Sequence, residues 1–530
     1  MPNISPMSSW RKPGPIPRNL SIADGRSTGR RVFAKRLLGV MGPGFRQDDI
    51  GYMAGIAEQR DLRKLPSQKT PSHEETPMPA FPASTTVLDS MLFRDAFGTP
   101  EMREVFSDIA LVARYAEVEV ALAKAEARCG VIPQDAADQI AARTNVAALD
   151  FDLLRRETDI VGYPILPLVH QMVKQCGEAG RYVHWGATTQ DIMDTAVVLQ
   201  LRAALEIVEK DIAELRRILA DLSKRYRDTP MAGRTHLQQA LPVTFGYKTA
   251  IWLAMFDRHA ERLAQLKPRV LVGQFAGAAG TLASLGDKGF EVQEALCAEL
   301  KLGVPASTWH VARDGFAEAV NFLALVTGSL GKIALDIIIM ASTEFAEVYE
   351  PFVKGRGASS TMPQKRNPIS SELMLAASKA VRQHASLMLD AMVQDFERAT
   401  GPWHAEWMAI PESFVLSAGA LHQAKFALAG LIVDEAKMND NLAISRGLIV
   451  AEAVMMGLAP QIGRQEAHDV VYDACRLANE EGLTLADALS SDSRVSSRID
   501  RATIEALTSP KNYLGLAPAM VDRVLKSATR

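Results

Sequence analysis

Leu201, Leu205, Val208, Ile212, Leu215, Leu219 and Leu222 recur at alternating spacings of four and three residues. That heptad stripe predicts one long helix over about 195–227, packed along its length against other helices. Asp228-Thr229-Pro230 ends it. A second helix is predicted over 244–266, stopping at Pro268. A third, over 315–350, is apolar nearly all round and belongs inside a bundle. A fourth starts after Pro368, with Ser370 or Ser371 as its N-cap, and a fifth covers 411–437. Few stretches alternate as strands do. The chain is 48% hydrophobic but only 6% aromatic, so the interior is aliphatic. The expected fold class is all-α, an extended long-helix bundle.

Residues 1–80 are rich in Pro, Ser, Gly and Arg and poor in aliphatic runs, which predicts a disordered N-terminal extension. Arg30-Arg31-Val32-Phe33-Ala34-Lys35 faintly resembles an export signal, but the apolar stretch after it is short and broken by glycine. The remainder divides into an N-terminal helical domain over 81–190 and a central bundle domain over 191–440. A composition break at Asn439-Asp440-Asn441 introduces a small C-terminal helical domain over 441–530. That domain has helical patterns at 464–481 and 485–489, then loop-like sequence to Pro510. Residues 318–345 are apolar enough to suggest a membrane span, but Lys332, Asp336 and Glu344 argue for a buried central helix instead.

A net charge of −3 gives no electrostatic case for nucleic acid or an anionic membrane as partner. Cys129, Cys176, Cys297 and Cys475 match no metal-ligand or redox spacing and read as reduced thiols of a cytoplasmic protein. No metal site is expected.

Three separated segments combine polar groups with short turns. The first is His184-Trp185-Gly186-Ala187-Thr188-Thr189-Gln190-Asp191, leading to Asp194 and Thr195. Hydroxyls and amides at a helix N-terminus suit a carboxylate, with Thr188 and Thr189 as its ligands; simple capping of the long helix is the bland alternative. The second is Gly233-Arg234-Thr235-His236-Leu237-Gln238-Gln239, in which His236 is a candidate acid or base. The third, Gly357-Ala358-Ser359-Ser360-Thr361-Met362-Pro363-Gln364-Lys365-Arg366-Asn367-Pro368, is the most informative. Its small residues let backbone N–H groups converge on one point and stabilise an anion there. Ser359 is then a candidate base, with Lys365 and Asn367 able to grip a carboxylate. Glu372 follows just beyond.

The third segment resembles the mobile catalytic loop of the fumarase/aspartase superfamily, and the other two resemble that family's carboxylate-binding turn and Arg-Thr-His turn, in the expected order from about Thr85 onward. Within the superfamily, the stretches His184–Thr188, 237–246, Gly401-Pro402-Trp403-His404-Ala405-Glu406-Trp407 and 448–453 look most like the 3-carboxy-cis,cis-muconate cycloisomerase branch. The resemblance implies a three-domain subunit in a homotetramer with a central many-helix core. Each active site would be shared between subunits, act on a small polycarboxylate and need no cofactor. It implies Ser359, His236 and Glu372 as catalytic residues, with Glu372 orienting His236. Thr188, Thr189, Arg234, Gln238, Ser360, Lys365 and Asn367 would bind substrate. The chemistry implied is addition or elimination next to a carboxylate through an aci-carboxylate. It covers lactonisation of a muconate or, alternatively, C–N cleavage of a succinyl compound with release of fumarate. Bacterial cycloisomerases of this branch often lack a histidine at the place of His236, whereas this chain keeps it, which favours the lyase alternative. Adenylosuccinate lyases carry a histidine where Thr158 stands, which counts against an adenylosuccinate substrate.

Overall fold

Thr188 donates its backbone N–H to Asp191 Oδ2 at 3.0 Å, fixing the first turn of a helix that runs for 37 residues, Thr189–Arg225 (α2). Capping of this kind satisfies the orphan donors of a helix start. The start therefore lies six residues before the expected 195, because the cap and not the apolar stripe sets it. The stripe itself is buried as expected, Leu201, Leu205, Val208, Ile212, Leu215, Leu219 and Leu222 all being in the core. At 1.5 Å per residue α2 is about 55 Å long. In this computed structural model residues 84–528 are described, and the extension expected over 1–80 lies outside them.

Before α2 comes helix α1, Asp108–Arg128. After it the chain forms an antiparallel hairpin, β1 (Pro230–Thr235) and β2 (Gln238–Thr244), which the sequence did not announce. Four further long helices follow: α3 (Phe245–Val270), α4 (Asp314–Met340), α5 (Ile369–Ala391) and α6 (Pro402–Ala429). Pro268 sits within the last turn of α3. The helix ends two residues later, at Val270. The third expected helix stops at Met340 and not near 350. Glu347 N–H turns back to the Met340 carbonyl at 2.8 Å and Ala346 adopts φ 51°. The fifth begins at Pro402, nine residues before the expected 411; proline is well suited to a first helical position, and Pro411 lies in the interior.

Direction along the bundle follows from contacts at the helix ends. Arg313, just before α4, grips Asp194 in the first turns of α2. Past the other end of α4, Glu347 holds Arg234 on the hairpin. Ser370 at the start of α5 bonds Gln423 late in α6, while Gln394, after α5, reaches Glu406 early in α6. So α2, α4 and α6 run one way and α3 and α5 return. One end carries residues 184–194 with Arg313 and Glu406. The opposite end carries the hairpin and the 357–368 loop.

Among the described residues one helix, α4, is long and apolar enough to cross a membrane. Here it packs inside the bundle, with Phe316, Val320, Leu323, Leu330, Ile333 and Ile337 buried. Lys332 and Asp336 pair on its outer face. Residues 451–507 fold as short helices over a separate apolar cluster that includes Val454, Leu458, Val470, Leu489 and Val495. Helices at Ser493–Ser496 and Arg501–Leu507 occupy what reads in the sequence as loop. The last helix, α7 (Ala517–Ala528), returns to the bundle, where Asp522 makes paired bonds with Arg227.

Candidate active site

The 357–368 loop is pinned at its base. Ala358 and Arg366 form an antiparallel bridge, and Asn367 N–H donates to the Gly357 carbonyl at 3.2 Å. Gly357 has φ 69°, and a Cβ there would lie 2.6 Å from the Asn367 carbonyl oxygen, so the closure needs glycine. Above this base the Ser359 Oγ accepts the backbone N–H groups of Thr361 at 3.3 Å and Met362 at 3.0 Å. Two amides aimed at one hydroxyl oxygen are the arrangement that stabilises an alkoxide. Ser360 Oγ lies 3.4 Å from Thr361 Oγ1. Lys365 is exposed and has no ion-pair partner among the described residues, while Arg366 rests against the rings of Tyr349 and Phe352. Asn367 and Lys365 line a small cavity with Glu350 and Arg356.

The loop is tied to the fold at the start of α5. Glu350 accepts the N–H groups of Ser370 and Ser371 at 3.0 and 2.8 Å, capping that helix. Arg356 donates to Ser370 Oγ and Gln423 Oε1, both at 2.6 Å. Glu372 stands exposed on the first turn.

At the hairpin, Thr235 pairs with Gln238, leaving His236 and Leu237 as a two-residue tip with φ 51° and 62°. Positive φ at both positions is what such a turn demands and is normally met by Asn-Gly. A non-glycine pair there is strained, and strain of this kind gathers at functional sites. The tip presents His236 outward, exposed. Among the described residues no hydrogen bond joins His236 to Glu372. Gln238 is exposed beside it. Arg234 is held differently from the expected substrate ligand: its guanidinium makes two bonds to the buried Glu347, at 2.6 and 3.0 Å, and lies over Phe345.

At the opposite end, Thr188 and Thr189 are half-buried at the start of α2. The carboxylate of Asp191 is spent inside the fold. It accepts the N–H groups of Ala276 and Gly277 and lies 2.7 Å from His310 Nε2. Asp194 and Glu406 both grip the fully buried Arg313, at 2.5–2.9 Å. Burial alone would lower the proton affinity of Arg313, but the two carboxylates hold it above its ordinary value. Burial pushes the Glu406 carboxyl up, against the pull of Arg313. This buried triad anchors the first turns of α2 and explains His310 and Arg313 as framework. The His404 ring lies 4.5 Å from that of Trp407, tilted at 52°, and packs among Tyr163 and Trp403. Sequence reasoning missed Glu347, Glu350 and Glu119; the last is a carboxylate set in the otherwise aliphatic run 118–123, and that misfit was the available signal.

Residues 96–382 match the family model described as "Lyase", and residues 447–524 match "Adenylosuccinate lyase C-terminus". The chain belongs to the fumarase/aspartase superfamily. It is 46% identical, over 83% of its own length and 99% of the relative's, to a 3-carboxy-cis,cis-muconate cycloisomerase of Acinetobacter baylyi. It is 47% identical, over 81% and 88% respectively, to trans-aconitate decarboxylase 1 of Mycosarcoma maydis. Among solved structures, a fumarate lyase from Mesorhizobium sp. BNC1 superposes with a TM-score of 0.77 at 56% identity, covering 81% of this chain and 98% of that one. As a member of this superfamily the chain is an enzyme of the lyase and cycloisomerase type, acting on small molecules.

Proposed function

We propose that the protein lactonises 3-carboxy-cis,cis-muconate or a closely related unsaturated polycarboxylate. The observation that carries this reading is Ser359 Oγ receiving two backbone N–H groups on a loop that also bears Lys365 and Asn367. In the elimination direction the Ser359 alkoxide takes the proton from the carbon next to a substrate carboxylate. The electron pair moves into that carboxylate as an aci-carboxylate, and the ring oxygen leaves as a free carboxylate. Lactonisation is the reverse: the carboxylate oxygen bonds to carbon and the Ser359 hydroxyl returns its proton to the neighbouring carbon. Doubling the charge on one carboxylate makes electrostatic stabilisation the dominant requirement, which Lys365 and Asn367 supply. Thr188 and Thr189 bind a second carboxylate, Ser360 and Gln238 add polar contacts, and Glu372 orients His236. Arg234 acts through Glu347, holding the hairpin. No cofactor is required by this scheme.

A site of this composition draws on more than one chain. Thr188 and His236 stand at opposite ends of α2, so they meet on one substrate only if copies of the chain pack side by side in opposite directions. The homotetramer, with three domains in each subunit, meets that need. Leu325 and Leu335, 53% and 47% exposed on the outer side of α4, give it an apolar contact surface.

The alternative is a lyase releasing fumarate from a succinyl compound. His236, poised as a leaving-group acid, and the 56% identity to a protein titled fumarate lyase favour it. An ultraviolet assay decides between the two. Loss of muconate absorbance with lactone formation supports the cycloisomerase; fumarate release from N-succinyl compounds with muconate untouched supports the lyase.

A further inference from the structure

Helix α1 carries two carboxyls within the protein interior. Glu119 and Glu126 are 2% and 0% exposed and seven residues apart, on one helix face. Glu119 Oε1 lies 2.6 Å from His184 Nδ1, and its other oxygen has no partner. Neither oxygen of Glu126 has one. An isolated carboxylate in an interior costs several kcal/mol. Glu126 escapes that cost by staying protonated: burial first, and then the charge of Glu119, push its carboxyl up to about 9. Glu119 has a different remedy, because the imidazole beside it can carry the compensating charge.

His184 is built to be held. Its φ is 62°, a conformation a non-glycine residue keeps only when its surroundings enforce it. It opens the segment that ends in Thr188 and Thr189. Its side chain is 23% exposed, and its Nε2 makes no hydrogen bond among the described residues. Two carboxylates act on the ring: Glu119 from α1 by direct contact, and Asp191 from the start of α2, itself tied to His310, through its charge. Burial alone would lower the proton affinity of the imidazole, but these two carboxylates outweigh it and raise it above the ordinary value.

We propose that Glu119 is a positioning residue that holds His184 as an imidazolium, with Nε2–H presented beside Thr188 and Thr189 to a carboxylate of the substrate. The role rests on the polycarboxylate reading above and sharpens it: the end of the site built from residues 184–189 then selects a charged carboxylate over a neutral group. Because Nδ1–H is committed to Glu119, Nε2 is the nitrogen left to face the site, and it donates only while the ring is protonated.

The test is a titration of the full chain with carbon-13 labelled histidine, followed by NMR and assigned by the signal lost in His184→Asn. The wild type is expected to titrate at His184 above the ordinary histidine value. Glu119→Gln should lower that midpoint by about one unit or more, and Glu126→Gln should leave it in place, since Glu126 is already neutral. For whichever acid the enzyme turns over, Glu119→Gln should raise KM about tenfold with kcat little changed. The pH at which KM climbs should move down with the His184 midpoint. An ordinary midpoint in the wild type, or an equal midpoint in Glu119→Gln, overturns the proposal. The wild-type titration needs neither a substrate nor a stable variant, so an enzyme inactive on every acid offered refutes the substrate reading and not this one.

Discussion

Thr188 and His236 lie beyond opposite ends of one helix, α2, whose 37 residues span about 55 Å, although the proposed chemistry asks both to serve one substrate. Everything between them, the aliphatic stripe of α2 and its packing against α3 and α6, is scaffold that fixes this separation. The hairpin tip and the 357–368 loop share one end, and the His184–Thr189 turn with its Arg313 anchor occupies the other.

Ser359→Ala should abolish turnover while leaving the fold intact. The hydroxyl receives two amides but touches nothing in the core, so the melting temperature should move little. Removing a group used only in the transition state lowers kcat and kcat/KM together by orders of magnitude. Steady-state kinetics beside a thermal melt check this.

Gly357→Ala strikes the same loop through its backbone. The new methyl meets the Asn367 carbonyl at 2.6 Å with φ at 69°, at a cost of about 1–3 kcal/mol. The base of the loop must open, and kcat is expected to fall at least tenfold, on the grounds that small misplacements of reacting groups are costly. Opening the loop base relieves part of that strain, so the free energy of global unfolding in urea should fall by no more than that amount.

Arg313→Met should destabilise the protein by about 3–5 kcal/mol, because it leaves Asp194 and Glu406 buried and unpaired. Denaturant unfolding of the variant measures the loss. Replacing all three residues with apolar side chains of similar volume should recover much of it.

Acid should weaken the fold through His259. Burial, followed by Arg262 and Arg258, lowers its imidazole to about 4, and its Nε2 lies 2.9 Å from Ser329 Oγ. The folded value lies below the unfolded one, so the unfolded chain takes up the proton first. The stability this neutral histidine confers is present above about pH 6.5 and is lost as pH falls toward 4, a span worth about 3 kcal/mol. His259→Asn should flatten that part of a stability–pH profile.

Much of this was legible in the residues. The heptad stripe announced α2, and the helix at 464–481 coincides with its pattern, because both are set by apolar periodicity. Helix starts were misplaced where a cap or a first-turn proline decides, as at Thr188 and Pro402. The hairpin escaped notice because its tip is His-Leu, not the Asn-Gly that positive φ prefers. Of the candidate site, the loop around Ser359 could be read because its small residues and Lys-Arg-Asn-Pro run are contiguous. Glu347 and Glu350 could not, since each acts on residues distant in sequence, and Glu119 left only its misfit within an aliphatic run.

The division of the site between chains is tested most directly by subunit mixing. Thr188→Ala and Ser359→Ala, each inactive alone, are combined, exchanged and assayed. If the two ends of the bundle complete one site only across chains, about a quarter of sites in a random mixture regain both wild-type ends, and activity should recover toward that fraction. No recovery after verified exchange would contradict the shared site.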